Sequence, residues 1–427
     1  VNDIWQKIKL IAKERVLRKR ILFVLVALAA FRLLSNIPIP AAAGANLDNL
    51  LGNEALGFLN LLTGGGLSAI SIVMLGVGPY ITASIIMQLL TMMSERLKAI
   101  YHEEGEAGRK KFNQYSRLLT VPLAVVQGYG LLIFLERQGI IAHLAGFDFL
   151  LNIAIVVAGS VLLTWIGELM SEFGIGNGVS LIIFAGIIAR LPSVMGQFAF
   201  TYLYPEFDPS IVPTLLAFLF AAVVIVAGVV VATEAERPIP VTYAKRVRGM
   251  KVYGGISTYL PIRVNQAGVI PIIFALSILI FPQVLVNFLS GSANEAVAGV
   301  FNAIGLVLNN IWFRSIFYFI LVFLFTYFYT AVTFDPEAIA GNLQKGGAFI
   351  PGIRPGKSTV EYIAKILGRV TFVGALFLGV IAVLPLVMQS LTNIQSFAIG
   401  GTALLIVVSV VLDLVQKIEA QVSMREY

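Results

Sequence analysis

From Ile70 to Met93 the chain runs for 24 residues without a charged side chain. About 20 predominantly apolar residues cross the hydrocarbon core as a helix, so this run is long enough to span a bilayer. Comparable runs recur along the chain. Only 12% of its 427 residues are charged and 58% are hydrophobic, too little polar surface for a water-soluble fold of this length. The chain therefore reads as an all-α polytopic membrane protein. It has no cysteine, which excludes disulfides and thiolate metal sites. Its two histidines, His102 and His143, are both expected in loops, which excludes a histidine metal cluster or a Ser-His-Asp triad in the membrane. No metal, cofactor or catalytic group is expected.

The charges fix the topology. Residues 1–20 form a cytoplasmic N-terminal segment with seven basic side chains, Lys7, Lys9, Lys13, Arg15, Arg18, Lys19 and Arg20. An uncleaved first span follows, from Ile21 to Leu34. Span 2 ends at Met93. Spans 3 and 4 are expected at 118–135 and 149–166, span 5 follows a Glu- and Gly-rich turn and ends near Arg190, and spans 6 to 10 are expected at 211–233, 266–289, 315–333, 370–388 and 397–412. Of the 30 Lys and Arg, only Arg32, Arg137, Arg190 and Arg314 fall at the outer face, and the other 26 fall inside, which puts both termini in the cytoplasm. Ten spans make two five-helix halves, 21–190 and 211–416, joined by an outer connector 191–210 and followed by a cytoplasmic tail 417–427. An odd number of spans per half forces the halves into opposite orientations. Two cytoplasmic loops, 234–265 and 334–365, are large and basic. Most connections are about 4 to 6 residues long, so loops of this size suit a docking surface for a large partner.

A weak internal repeat supports the inversion. Span 2 reads G-V-G-P-Y-I-T-A from Gly76, and span 7 reads G-V-I-P-I-I-F-A from Gly268. The paired prolines predict kinks, because Pro costs ~3 kcal/mol in a helix interior. Spans 5 and 10 repeat more faintly, from Gly178 and Gly401. Before span 2, a short apolar piece from Leu56 to Leu62 is too brief to cross a bilayer, and Gly64, Gly65 and Gly66 then read as a hinge. A half-helix at membrane depth survives only where it is buried in protein or lines a wet cavity. Half-helix, hinge and kinked helices would thus enclose a central pore; the competing reading of this stretch is an ordinary surface loop.

A secondary transporter keeps ionisable ligands near the midplane, and the spans are almost free of them. Spans 2, 5, 7 and 10 offer instead Val77, Ile81, Ile183, Ile187, Ile273 and Ile406. Such residues serve equally as helix packing or, if they converge, as an apolar constriction that closes a pore by dewetting. In the second basic loop, G-I-R-P-G-K-S from Gly352 ends like a phosphate-binding Walker loop, but three residues rather than four separate its glycines, and no strand pattern is read before it.

Several long stretches carry a resemblance: A-G-R-K-K before span 3, G-P-Y-I-T-A-S-I-I-M-Q-L-L in span 2, G-I-G-N-G-V-S-L-I-I-F-A-G in span 5, A-G-V-I-P in span 7 and P-G-I-R-P-G before span 9. They resemble the SecY family, channel subunits of the bacterial Sec protein translocase. The resemblance implies a passive protein-conducting channel in the bacterial plasma membrane, which passes unfolded secretory polypeptides and releases signal sequences and membrane segments into lipid. It implies a plug and hinge at about 56–66 (Leu56, Phe58, Leu59, Leu62, Gly64, Gly65, Gly66), and a pore ring of the six aliphatic residues above. A lateral gate would include Pro79, Ser84, Gln88, Pro271 and Phe274. Val77 stands at a ring position where Ile is familiar in the family. Partners implied are SecE, SecG and either the SecA motor or the ribosome. Arg246, Arg248, Lys251, Arg354 and Lys357 would engage the motor or the ribosome, including its RNA. The competing function is an inverted-repeat solute transporter, which would line its cavity with ion-coordinating groups.

Overall fold

The computed structural model describes residues 14–42, 60, 63, 65–102, 104–137, 139–144, 146–202, 212–243, 246–248, 251–253, 257–266, 268, 270–289, 295–392 and 395–423. In chain order its helices are α1 (Arg15–Leu34), α2 (Gly78–Met93), α3 (Glu95–His102), α4 (Gly105–Arg137), α5 (Phe147–Phe173), α6 (Gly178–Tyr202) and α7 (Val212–Glu234), then α8 (Ile270–Leu289), α9 (Glu295–Asn309), α10 (Ile311–Thr333), α11 (Pro336–Lys345), α12 (Lys357–Thr392) and α13 (Gln395–Ser423). Among the described residues, four helical segments are long and apolar enough to cross a membrane: Gly105–Arg137, Phe147–Phe173, Ile311–Lys345 and Lys357–Leu391. One large cluster of buried apolar side chains draws on α1, α2, α5, α6, α7, α8, α10, α12 and α13. A second joins the segment around residues 67–75 to α4 and α5.

Several boundaries differ from expectation. Residues 70–77 are not helical: α2 has 16 residues, about 24 Å at 1.5 Å per residue, and it begins only at Gly78. Pro79 and Pro271 accordingly sit in the first turns of α2 and α8. No kink results there, because a first-turn N–H has no intrahelical partner to lose. Proline does fall inside α6, as Pro192, and that helix continues to Tyr202 through half of the expected connector. Helix α13 runs on to Ser423, into the expected tail. Gly178 opens α6, whereas Gly401 lies in the interior of α13, so the fainter repeat does not hold in helix phase. His102 ends α3 rather than lying in a loop. The described chain is also not all-α. The two basic loops contribute a sheet, β1 (Glu236–Tyr243), β4 (Ser257–Arg263) and β5 (Ala348–Phe349) in the order β4-β1-β5, and a hairpin of β2 (Arg246–Arg248) and β3 (Lys251–Tyr253).

Alternation explains β1, since Ile239 and Val241 point inward between exposed or half-exposed neighbours. Its prolines disguise it in the sequence. Pro238 and Pro240 lie where β1 pairs only with β4, because β5 meets it at Thr242 and Tyr243 alone, and an edge tolerates a missing N–H. Ile239, Val241, Ile262, Ala348 and Ile350 pack on Ile363 and Leu367 of α12, so the two loops form one body seated on that helix.

The approaches to α2 and α8 share a local design. Gly76 and Gly268 both adopt the left-handed region, at φ 57° and 61°, and the helix begins two residues later in each case. Four residues before each glycine, a carbonyl presses against a helical glycine. A Cβ on Gly159 of α5 would stand 1.9 Å from Ile72 O, and one on Gly374 of α12 would stand 2.4 Å from Val264 O. The same two residues also donate backwards, Ile72 N to Ile37 O at 2.9 Å and Val264 N to Ala235 O at 2.8 Å. The antiparallel pairing that follows is a single bridge, Pro38 to Ser71, in the first case and the β1–β4 ladder in the second.

Candidate functional site

The six aliphatic residues are all buried. Val77 caps α2, Ile81 lies one turn on, Ile183 and Ile187 are one turn apart on α6, Ile273 is in the first turn of α8, and Ile406 is on α13. All six belong to the one large apolar cluster. Their exposure runs from 0% at Val77 to 6% at Ile81, so none of the six reaches the surface. Neighbours in that cluster, including Leu276, Val322 and Leu405, are also aliphatic.

Among the described residues, the only buried charged side chain is Arg314. It lies in the first turn of α10 and donates to Gln389 Oε1 of α12 at 3.5 Å. Glu168 and Glu172, expected in a turn, lie in the last turns of α5, where Arg117 of α4 donates to Glu168 from both Nε and a terminal nitrogen. Neither grouping is a cage of carboxylates and hydroxyls such as ion-coupled transport requires. Among the described residues no three His, Cys, Asp or Glu side chains gather where they would hold a metal ion.

Leu56, Phe58, Leu59 and Leu62, expected in a plug, and Gly64, expected in its hinge, lie outside the described residues. Gly65 and Gly66 are described, and both are buried and bonded. Gly65 sits at φ 87°, its N–H donating to Asn60 O at 2.8 Å, and a Cβ on Gly66 would meet Val73 O at 2.8 Å. After a 3₁₀ turn, Gly66–Ala69, comes Ile70 at φ 43°, the one non-glycine residue with positive φ among those described. A β-branched residue is a true outlier there. Hydrogen bonds hold it on both sides, Ile70 N to Leu67 O at 3.1 Å and Ile39 N to Ile70 O at 3.0 Å. Sequence reasoning missed the anchors of this segment. Ser160 Oγ donates to Gly76 O at 3.0 Å, and Ala41 N donates to Asn152 Oδ1 at 3.3 Å. The adjacent pair Gly159-Ser160 and the lone Asn152 in an apolar span are the signals that point to them.

Helices α2 and α8 touch, as a gate between them requires. Pro79, Pro271 and Phe274 are buried, while Ser84 and Gln88 are partly accessible. Phe274 meets Phe325 of α10 edge to face with centroids 5.9 Å apart, so its ring is braced from behind. Gln88 Oε1 of α2 is buried without a hydrogen-bond partner.

The basic residues divide between the hairpin and the second loop. The register sets Arg246 opposite Tyr253 and Arg248 opposite Lys251. Like charges directly opposite are unfavourable by themselves. Arg354 and Lys357 are exposed, in a turn framed by Gly352 at φ 84° and Gly356 at φ 104° and closed by Thr359 Oγ1 donating to Arg354 O at 3.0 Å. A strand does precede this turn, contrary to expectation. It is β5, two residues long and antiparallel to β1, too short for periodicity to register.

Residues 71–415 match the family model SecY. The protein translocase subunit SecY of Thermotoga maritima is 42% identical over 441 aligned positions, covering 99% of this chain and 97% of that protein. The chain belongs to the SecY family. Among solved structures, a SecY channel whose plug domain is described as stabilising the closed state and maintaining a membrane seal aligns with a TM-score of 0.63 at 20% identity, over 96% of this chain and 93% of that one. Canine Sec61 in a ribosome-channel complex from the endoplasmic reticulum aligns at 0.59 and 19%, over 96% and 93%. At these identities the structural likeness establishes the SecY/Sec61 channel fold.

Proposed function

We propose that this chain is a protein-conducting channel that passes unfolded secretory polypeptides across a bacterial plasma membrane and releases signal sequences and membrane segments sideways into lipid. The observation that carries the reading is that Val77, Ile81, Ile183, Ile187, Ile273 and Ile406, from four helices, are all buried in one apolar cluster. An apolar constriction blocks ions by dewetting yet binds no passing side chain tightly, which suits a conduit for arbitrary sequence. Gly65, Gly66 and the segment up to Val77 form the approach to this constriction, and the plug is the piece before them.

The bundle is read as ten spans in two inverted halves with both termini cytoplasmic. The matched joints before α2 and α8, each with a left-handed glycine, a first-turn proline and a carbonyl seated on a helical glycine, support the repeat. Because the halves are inverted, one joint faces the outer funnel and the other carries the sheet into the cytoplasm. Arg246, Arg248, Lys251, Arg354 and Lys357 then dock a cytosolic partner, the SecA motor or a ribosome with its anionic RNA, and SecE and SecG complete the channel. The chain supplies a path and a seal, and the partner supplies the energy. Proteoliposomes holding the chain with SecE, supplied with SecA, ATP and an unfolded secretory precursor, test the reading. Precursor protected from external protease is expected; coupled uptake of a small solute without precursor import would favour the transporter.

A further inference from the structure

Helix α9 was not expected at all; its residues read as part of an outer loop. It is separated from α10 by Asn310 alone, which has extended geometry (φ −68°, ψ 118°) and whose side chain accepts from Trp312 N and Phe313 N. The chain therefore stops one helix and starts another there.

Three kinds of surface run along α9. Phe301, Gly305 and Leu308 lie on one face at helical spacing, and Gly305 packs so closely that a Cβ would stand 2.9 Å from Val286 Cγ1 of α8. Val300, Ile304 and Val307 form a second face and are 58%, 40% and 50% exposed, with Ala303 exposed between them. Positions 302, 306 and 309 make the third, Asn-Leu-Asn, on which Asn302 and Leu306 are exposed. Between Ala296 and Phe313 there is no charged residue.

A second exposed apolar face follows in the chain. On α10 the exposed residues Trp312, Ile316, Ile320 and Leu324 follow one another at every fourth position, a stripe along a helix long and apolar enough to cross a membrane. Trp312 and Phe313, both exposed, stand at the start of that helix, where aromatic side chains mark the level of the headgroups. An apolar stripe that ends at this level, beside a row carrying the exposed Asn302, matches a helix lying in the interface with one face in the acyl boundary.

We infer that α9 binds the surface of the lipid bilayer, with Val300, Ala303, Ile304 and Val307 in the acyl boundary, Asn302 toward water, and Phe301, Gly305 and Leu308 on the protein. The occupant of the exposed face is lipid, and the placement is independent of what the channel carries.

The chain has no native cysteine, so single replacements accept a nitroxide label without background. Ile304→Cys, Val307→Cys, Asn302→Cys and, as a lipid-facing reference, Ile320→Cys are labelled in the full chain. They are reconstituted into phosphatidylethanolamine–phosphatidylglycerol vesicles, and collision with oxygen and with a water-soluble nickel chelate is measured. The oxygen-to-nickel ratio at Ile304 and Val307 is expected to approach that at Ile320 and to exceed that at Asn302 several-fold. Equal nickel access at Ile304 and Asn302 would put α9 in water and overturn the inference. Shielding of Ile304 and Val307 from both reagents would overturn it differently, by showing a protein partner on the face instead of lipid.

Discussion

The joint before α2 and the joint before α8 are built on one plan and finished in two ways. Each has a left-handed glycine, a proline in the following first turn, and a carbonyl resting on a glycine of another helix. In the first, the backward pairing stops at a single bridge, the chain folds into a buried 3₁₀ turn, and Ile70 is held at a costly φ of 43°. In the second, the pairing extends from Glu236–Arg263 to Thr242–Ser257, grows a hairpin and recruits β5 from the other loop. The lesson is that a conserved-looking backbone anchor need not fix what is attached to it. On the proposed reading, the shortened joint serves as a seal and the lengthened one as a docking platform.

The largest effects should come from the anchors themselves. Gly159→Ala brings a Cβ to 1.9 Å from a backbone oxygen and Gly374→Ala to 2.4 Å, and backbone cannot rotate away as a side chain can. Both should destabilise by at least the ~1–3 kcal/mol typical of overpacking, Gly159 the more. Gly130→Ala in α4, with nothing within 4 Å of the new methyl, is the control and should be neutral or slightly stabilising. Melting curves in detergent would rank the three, and equal losses at all three positions would deny the shared design.

Intermediate effects are expected at the seal alone. Gly65→Ala forces alanine into the left-handed region at about 1–2 kcal/mol, and the strain falls on the closed arrangement. Ion leak through reconstituted channels should rise while overall melting changes little. A variant as tight as the parent would show that the segment does not open at Gly65.

The smallest changes in stability, with a clear change in binding, belong to the platform. Lys251→Glu places an acid opposite Arg248 and should strengthen the hairpin by roughly 0.2–1 kcal/mol. The same change should weaken a cytosolic partner, most strongly at low salt, because exposed charges are screened over about 8 Å at physiological ionic strength. Arg354→Glu should do likewise without touching the hairpin. Partner affinity measured against ionic strength separates this from misfolding, which would lower affinity at every salt concentration.

How much was legible depended on which residues carried the signal. Uncharged runs announced the membrane helices, and offset matches such as Gly76 with Gly268 and Pro79 with Pro271 announced the joints. The prolines, however, mark helix starts and not kinks, because hydropathy cannot tell a buried irregular segment such as 70–77 from helix. The sheet was hidden by Pro238 and Pro240 and by the brevity of β5. Helix α11 carried a readable start that went unused: Asp335 caps it, accepting from Glu337 N at 2.9 Å, with Pro336 at its first position. The ring residues were nameable from position, but their burial together depends on how α2, α6, α8 and α13 pack, which no local pattern encodes.

On the proposed reading, the apolar cluster around Val77, Ile81, Ile183, Ile187, Ile273 and Ile406 closes a pore. Ile81→Asn and Ile273→Asn, singly and together, test it in planar bilayers by single-channel conductance, read beside a melting curve for each variant. If the cluster is a constriction, the amides admit water and steady ion conductance appears while melting shifts little. If it is only helix packing, each unpaired amide costs roughly 1–3 kcal/mol, and melting falls with no new conductance, which would contradict the account.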